Sequence, residues 1–360
     1  MKSSQGHRII TVDYFGDYDQ KLLCQNYSLK RDFGKPYSVG RLFEACRSLR
    51  FDALVYTSNL ENHPRVVERL SHGKQLLGNT PVTLSRVRDP SEFFGCLARL
   101  GVAFPKTVRG SDWTFIEGQG RFLRKPTQSG GGHGIAFHSP TRRVGKASIL
   151  QEYIQGLPCA SVFVANGRDP VLLGISEQLI GDHVFGGSGF RYTGSLLGPI
   201  GGEGSFRAIV GTLERVLQAI TREFRLVGMN GLDFILKDED IYPLEINPRY
   251  TASMELVERG YGLNIFDLHL QACGGKLPVF DIRRVPRDAF FGKAILFAER
   301  DLILKRTQHW WEKGIRDIPF EHEQIVRGRP ICTVFSQGRS RDACYRGLVR
   351  VASELKEELS

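Results

Sequence analysis

Two short runs, Gly231-Leu232-Asp233-Phe234-Ile235-Leu236 and Ile241-Tyr242-Pro243-Leu244-Glu245-Ile246-Asn247, constrain the fold more than any other feature of the chain. Both are dominated by apolar strand formers, and only the polar turn Lys237 to Asp240 separates them, so they predict an antiparallel hairpin. Glu245 and Asn247 stand two apart, which puts their side chains on one face, about 7 Å apart along the strand. A five-residue loop would set Asp233 opposite Glu245. A four-residue loop would shift the register by one and part their faces unless a bulge intervenes, and Pro243 admits one. Two carboxylates and an amide oxygen on one face would suit a hard cation, Mg²⁺ or Mn²⁺, that shares its remaining positions with nucleotide phosphates and water. Arg249 would add a cation for a phosphoryl group in transfer. A surface hairpin with solvated acids shows the same pattern, so other segments have to decide between the two.

One such segment is Arg124-Lys125-Pro126 followed by Ser129-Gly130-Gly131-Gly132-His133-Gly134. Successive glycines let backbone N–H groups approach phosphates, and Lys125 supplies charge beside them. The run fits neither GxxxxGK[ST] nor GxGxxG, and a glycine cluster on its own is more often a flexible turn. A second segment, Gln151-Glu152-Tyr153-Ile154-Gln155-Gly156, is an apolar strand end entering a turn, where backbone groups could meet adenine while Tyr153 and Ile154 pack near the ring.

In this order the three segments resemble the ATP-grasp superfamily of carboxylate-amine ligases. The resemblance covers roughly residues 75 to 275, and GLDFIL followed by PLEINPR is its most telling part. It implies that Lys125 and the flap glycines Gly130, Gly131, Gly132 and Gly134 contact phosphates, and that Glu152, Tyr153 and Ile154 hold adenine. Asp233, Glu245 and Asn247 would then bind the metal and Arg249 the transferring phosphate. The chain departs from the family in two places. The stretch after the linker, Gly156 to Ser161, has no carboxylate for ribose, and LSRVRDPSEFF offers Arg86 and Arg88 where a second phosphate-binding lysine is usual, with Arg88 taken as the substitute. The tail GRPICTVFSQGRSRDACYRGLVRVA looks like the small C-terminal domain of biotin carboxylase-like members, without a biotin-carrier motif. As a whole the pattern looks most like the subgroup containing tyramine:L-glutamate ligase and related enzymes of one-carbon cofactor synthesis.

The expected class is α/β, an α+β ATP-grasp fold in three parts. Residues 1–104 would form an N-terminal open α/β domain, 105–275 the two-lobed ATP-grasp domain with its flap, and 276–360 a small C-terminal α+β domain. Arg8 to Val12, Val39 to Leu49 and Ala53 to Tyr56 read as a β-α-β opening, and Ile209, Leu213, Val216, Leu217, Ile220 and Phe224 mark an amphipathic helix. In the tail, Cys344, Leu348, Val351 and Leu355 would face inward.

The 360 residues have an ordinary globular composition, and their formal charge of +10 suits phosphates and acidic metabolites. No run of five or six basic residues occurs, which argues against nucleic acid as the partner. Seven widely spaced cysteines with no CxxC pair read as reduced thiols, mostly buried. No signal-peptide core and no 18-residue apolar segment appears, so a cytoplasmic protein with no membrane partner is expected. Its expected partners are ATP, a small acidic substrate and an amine. The oligomeric state stays open, a homodimer included. For the acidic substrate, Arg191 in Gly186-Gly187-Ser188-Gly189-Phe190-Arg191-Tyr192 could pair with a carboxylate, though a solvated arginine on a mobile loop fits equally. Tyr14, Asp17 and Asp19 follow the first strand, as ligand groups or turn formers. The rival readings are a kinase on the same fold, which needs only a hydroxyl acceptor, and a non-catalytic nucleotide or nucleic-acid binder.

Overall fold

The structure is a computed structural model that describes residues 6–57, 59–109, 120–139, 144–145 and 147–359. Its first ninety-odd residues carry β1 (Ile10–Asp13), α1 (Tyr18–Leu23), β2 (Gln25–Ser28), α2 (Val39–Arg47), β3 (Ala53–Leu54), α3 (Pro64–Ser71), β4 (Gln75–Leu76), α4 (Pro81–Val87) and α5 (Pro90–Arg99). The expected β-α-β opening is corrected here. β1 pairs in parallel with β2, and β3 pairs separately with β4. The helix α1 and strand β2 escape a hydrophobic reading because they are short and polar, and Leu22 and Leu23 are both exposed. Polar contacts hold β2 in place instead, with Asn26 Nδ2 donating to Thr11 Oγ1 (3.0 Å) and Asp13 Oδ2 (2.6 Å).

The next strands, β5 (Thr107–Arg109), β6 (Phe122–Pro126), β7 (Ala136–Phe137) and β8 (Ser148–Glu152), form an antiparallel sheet in the order β5-β8-β6-β7. A larger layer follows, built from β9 (Leu157–Asn166), β10 (Pro170–Ile180), β11 (Tyr192–Leu197), α6 (Glu203–Phe224), β12 (Val227–Lys237), β13 (Asp240–Asn247), α7 (Met254–Tyr261), α8 (Ile265–Cys273), β14 (Phe290–Phe297), β15 (Leu302–Ile303), β16 (Gln324–Ile325), β17 (Pro330–Gly338) and α9 (Arg341–Glu358). Seven of these strands make one antiparallel sheet, β13-β12-β9-β10-β11-β14-β17. The C-terminal segment therefore adds β14 and β17 to the sheet begun by β9 to β13, and only the short pair β15-β16 stands apart.

The helical spacing of α6 does the expected work. Ile209, Leu213, Val216, Leu217, Ile220 and Phe224 are all buried, in one core with Phe163, Phe234 and Ile246 from the strands and Phe93, Phe94 and Leu97 from α5. Burying each such side chain contributes roughly 1.5 to 3 kcal/mol, which fixes the helix on the sheet. In α9, capped by the Ser340 side chain on the Ala343 N–H, Cys344, Leu348 and Leu355 are buried as expected, while Val351 is half-buried and Ala352 takes the inward position. All seven cysteines are free thiols, four of them buried.

α8 packs under β12 through His269, whose Nδ1 accepts from the Met229 N–H (3.0 Å) and whose Nε2 meets the Leu77 carbonyl (3.1 Å). This arrangement requires the neutral Nε2–H tautomer, and burial lowers the pKa of the ring from its usual 6.5. A depressed folded pKa means that the unfolded chain takes up the proton first. The His269 contribution to stability is then complete above about pH 6.5 and is lost as pH falls below it. Thermal midpoints measured from pH 7.5 to 5.5 are expected to fall more steeply for the wild type than for His269→Gln, and equal slopes would remove this residue as the cause.

Candidate active site

Lys237 pairs with Asp240, so the hairpin turn holds only Asp238 and Glu239, with Asp238 at φ 57°. Pairing runs in register through Phe234 opposite Pro243, then slips by one residue, and Asp233 faces Glu245. Leu244 is the extra residue. The bulge returns Asp233 to the face of Glu245 and Asn247, whereas an unbroken ladder from the same turn would set Asp233 opposite Leu244.

On that face Asp233 accepts two side-chain hydrogen bonds, Oδ2 from Asn247 Nδ2 (3.0 Å) and Oδ1 from Gln178 Nε2 (3.0 Å). Arg88, at the end of α4, donates from Nη1 to Glu245 Oε2 (3.0 Å). Lys125 on β6 donates to Gln151 Oε1 (2.5 Å), and Gln151 in turn donates to Thr107 Oγ1 (3.2 Å), which fixes the lysine from β8 and β5. The charges act on one another. Burial and then the Glu245 charge raise the Asp233 carboxyl well above the usual carboxylate range. Enclosure pulls Glu245 the same way, but Arg88 and Lys125 outweigh it and hold that carboxyl low. Burial lowers Lys125, opposed by Glu245 and Asp233. Lys125, Arg88, Asp233, Glu245, Asn247 and Arg249 are thus brought into one cluster.

The donor set fits a hard divalent cation. Two carboxylates face each other with a like-charge repulsion that an ion would relieve, and the Asn247 amide adjoins them. No group of three or more His, Cys, Asp or Glu side chains with metal-holding geometry occurs among the described residues, so the amide is needed to complete the set.

Arg249 is held at all three of its nitrogens. Its Nε donates to Glu61 Oε1 (2.8 Å), Nη1 to the Tyr250 carbonyl (3.0 Å) and Nη2 to Asn247 Oδ1 (3.2 Å). Glu61, Asn62, Tyr56, Asn79 and Gln178 support the cluster without any mark in the sequence, and Gln151, read there as part of the adenine segment, holds Lys125. Each is a single polar residue whose partner in the cluster lies 26 or more positions away, so no local spacing marks it.

Beyond Gln151, the expected adenine segment makes contacts of its own. The Glu152 N–H donates to the Lys106 carbonyl and its carboxylate accepts from the Lys106 N–H, while the Tyr153 N–H donates to Arg121. No described residue accepts from the Ile154 N–H. Tyr153 meets Phe137 edge-on (5.2 Å), Phe137 meets Phe190 (5.4 Å), and the Arg121 guanidinium lies 4.0 Å from the Phe137 ring. The flap rests on the Phe190 loop. Gly131 accepts from the Tyr192 N–H (3.0 Å), and Gly132, at φ 75°, comes so near that a Cβ there would lie 1.7 Å from the Phe190 carbonyl. Gly130, Gly131, Gly134 and His133 are exposed.

Arg191 is held elsewhere. Its Nη1 donates to the Gly328 carbonyl (3.0 Å) and its guanidinium lies 4.8 Å from the Phe297 ring, with no polar contact to the carboxylate cluster among the described residues. Asp19 is a tie between chain ends, accepting from the Ile318 and Asp317 N–H groups (2.9 and 3.2 Å). Burial and then Asp317 push the neighbouring Asp17 carboxyl up to about 8. On β14 the buried Lys293 pairs with Glu255 (2.9 Å), a charged residue inside FFGKAILF that the sequence reading passed over.

Residues 87–253 match a family model described as an ATP-grasp domain. This stretch has the ATP-grasp fold. The chain is 24% identical over 348 residues to an uncharacterized protein of Methanocaldococcus jannaschii, covering 92% of this chain and 83% of that one. It is 23% identical over 228 residues to the carbamoyl phosphate synthase large chain of Thermoplasma volcanium, of which it spans 21%. The crystal structure of an L-amino acid ligase from Bacillus licheniformis superposes with a TM-score of 0.68 at 14% identity, covering 97% of each chain. The α/β ATP-grasp architecture expected from the sequence is therefore the one found. No helix among the described residues is long and apolar enough to cross a membrane.

Proposed function

We propose that this protein activates a carboxylate with ATP as an acyl phosphate and joins it to an amine, releasing ADP and phosphate. The observation that carries this reading is the convergence of Lys125, Arg88 and Arg249 on Asp233, Glu245 and Asn247 within the ATP-grasp domain. A carboxylate oxygen is a poor leaving group near neutral pH, and phosphorylation removes that obstacle. Catalysis of this kind is largely positioning and electrostatics.

In this proposal Lys125 and Arg88 draw the phosphate oxygens, and Arg249 stabilises charge on the moving phosphoryl group. Asp233, Glu245 and Asn247 are the residues that would hold Mg²⁺ or Mn²⁺, which supplies charge neutralisation and alignment of the triphosphate. The Ile154 N–H and the Tyr153 ring receive adenine, and the Gly130 to Gly134 flap excludes water that would hydrolyse the acyl phosphate. The finer reading is a tyramine:L-glutamate ligase-like enzyme of one-carbon cofactor synthesis, with glutamate or another amino acid as the acid. The name of the L-amino acid ligase it superposes on supports an amino-acid substrate. A division at residues 104 and 275 and a cytoplasmic location belong to the same proposal.

Incubation of the protein with MgATP and a panel of amino acids and amines tests it. ADP release is expected only when a carboxylate and an amine are both present, with an amide in the product. Phosphorylation of a hydroxyl compound without any amine would mean a kinase.

A further inference from the structure

Four side chains from the first eighty residues converge on Pro248, Arg249 and Arg88. Tyr56 Oη and Asn79 Nδ2 both donate to the Pro248 carbonyl (3.0 and 3.1 Å). Asn79 also donates to Asn230 Oδ1 (2.9 Å) and accepts from the Val227 N–H (2.8 Å), which ties the same support to the start of β12. Glu61 and Asn62 lie in a buried turn, Leu60–Asn62, that follows Asn59 at φ 72°. From this one turn Glu61 accepts the Arg249 Nε–H and Asn62 Oδ1 accepts the Arg88 Nε–H (3.1 Å).

Glu61 is 2% exposed, and its second oxygen, Oε2, is buried with no hydrogen-bond partner among the described residues. A carboxylate this buried and half-satisfied is unfavourable for stability, and an apolar residue would serve packing better. Arg249, 12% exposed, is the charge that compensates it. An arginine bound through Nε alone can still turn its two Nη groups, but here Asn247 and Tyr250 hold those as well. The guanidinium therefore has one orientation, held by Glu61 from the N-terminal segment together with Asn247 and Tyr250.

We propose that Glu61 is a positioning residue that acts through Arg249, setting the rate of phosphoryl transfer rather than nucleotide affinity. This rests on the ligase reading above. Arg249 aligned by Glu61 meets the transferring phosphoryl group in a fixed geometry, and a misplacement of about 1 Å in such a contact lowers the rate by about 10²-fold.

The test is a double-mutant cycle on the full chain with Glu61→Gln, Arg249→Gln and the pair, followed by ADP release and by Mg-nucleotide binding. Glu61→Gln is expected to lower kcat by about 10²-fold. Its KM for ATP should stay within about two-fold of the wild type and its Tm within a few degrees, and it should bring no further loss in the Arg249→Gln background. Where Glu61→Gln fails to fold, Glu61→Asp, which retains the charge, takes its place. Equal fractional losses in both backgrounds, an unchanged kcat, or a loss confined to KM would each overturn the role of Glu61. A wild type that turns over normally beside an unaffected Glu61→Gln sinks this inference alone. A wild type that binds no Mg-nucleotide sinks the ligase reading, and with it the reaction that Glu61 would serve.

Discussion

Glu245→Ala is expected to lower MgATP-dependent ADP release by about 10³-fold or more, since a metal that neutralises phosphate charge is worth several kcal/mol at the transition state. Glu245 stands on the bulged strand opposite Asp233, where the two carboxylates share one face. Removing it leaves a single carboxylate and an amide against the combined charge of Arg88 and Lys125. Such a site no longer selects a divalent cation. Stability should change little, because the Glu245 side chain is 47% exposed and its ion pair with Arg88 (3.0 Å) is accessible to water. A coupled assay for ADP, run beside a thermal melt, separates the two effects. Near-normal ADP production by a folded variant would show that the metal is held elsewhere.

Gly228→Ala is expected to destabilise the fold by roughly 3 to 5 kcal/mol. Gly228 adopts φ 72°, a left-handed conformation that a Cβ penalises by roughly 1 to 2 kcal/mol. The same Cβ would lie 2.5 Å from His269 Cε1 and Nδ1, so the ring must move and give up the Met229 N–H. Overpacking adds roughly 1 to 3 kcal/mol, and the orphaned N–H adds to that. The midpoint should fall by roughly 6 to 15 °C. In a His269→Ala background, where the ring is gone, the same substitution should cost markedly less. Equal losses in both backgrounds would rule out the ring as the obstacle.

Much of the site was legible from local patterns. The alternation in PLEIN put Glu245 and Asn247 on one face, and the apolar periods of α6 and α9 named most of their inward residues, without Phe206, Val210, Thr221 and Ala352. Less was legible where polar contacts rather than burial hold an element. β2 is such a case, since QNYS lacks an apolar alternation and owes its place beside β1 largely to Asn26. Arg191 shows the converse. Its glycine-rich setting suggested substrate binding, but Gly328 and Phe297, more than a hundred residues away, hold its guanidinium.

By itself the sequence determined the residue types of the site, the face that two of them share, and the helices and strands whose periodicity is strong, because these depend on neighbours within a turn or a strand. Only the tertiary structure decided that Leu244 bulges and so returns Asp233 to its partners, that β14 and β17 join the main sheet, and that Glu61 and Asn62 grasp Arg249 and Arg88. Register slips and buried ion pairs join residues far apart in the chain. Their partners are chosen by the packing of whole elements, and no short-range spacing encodes them.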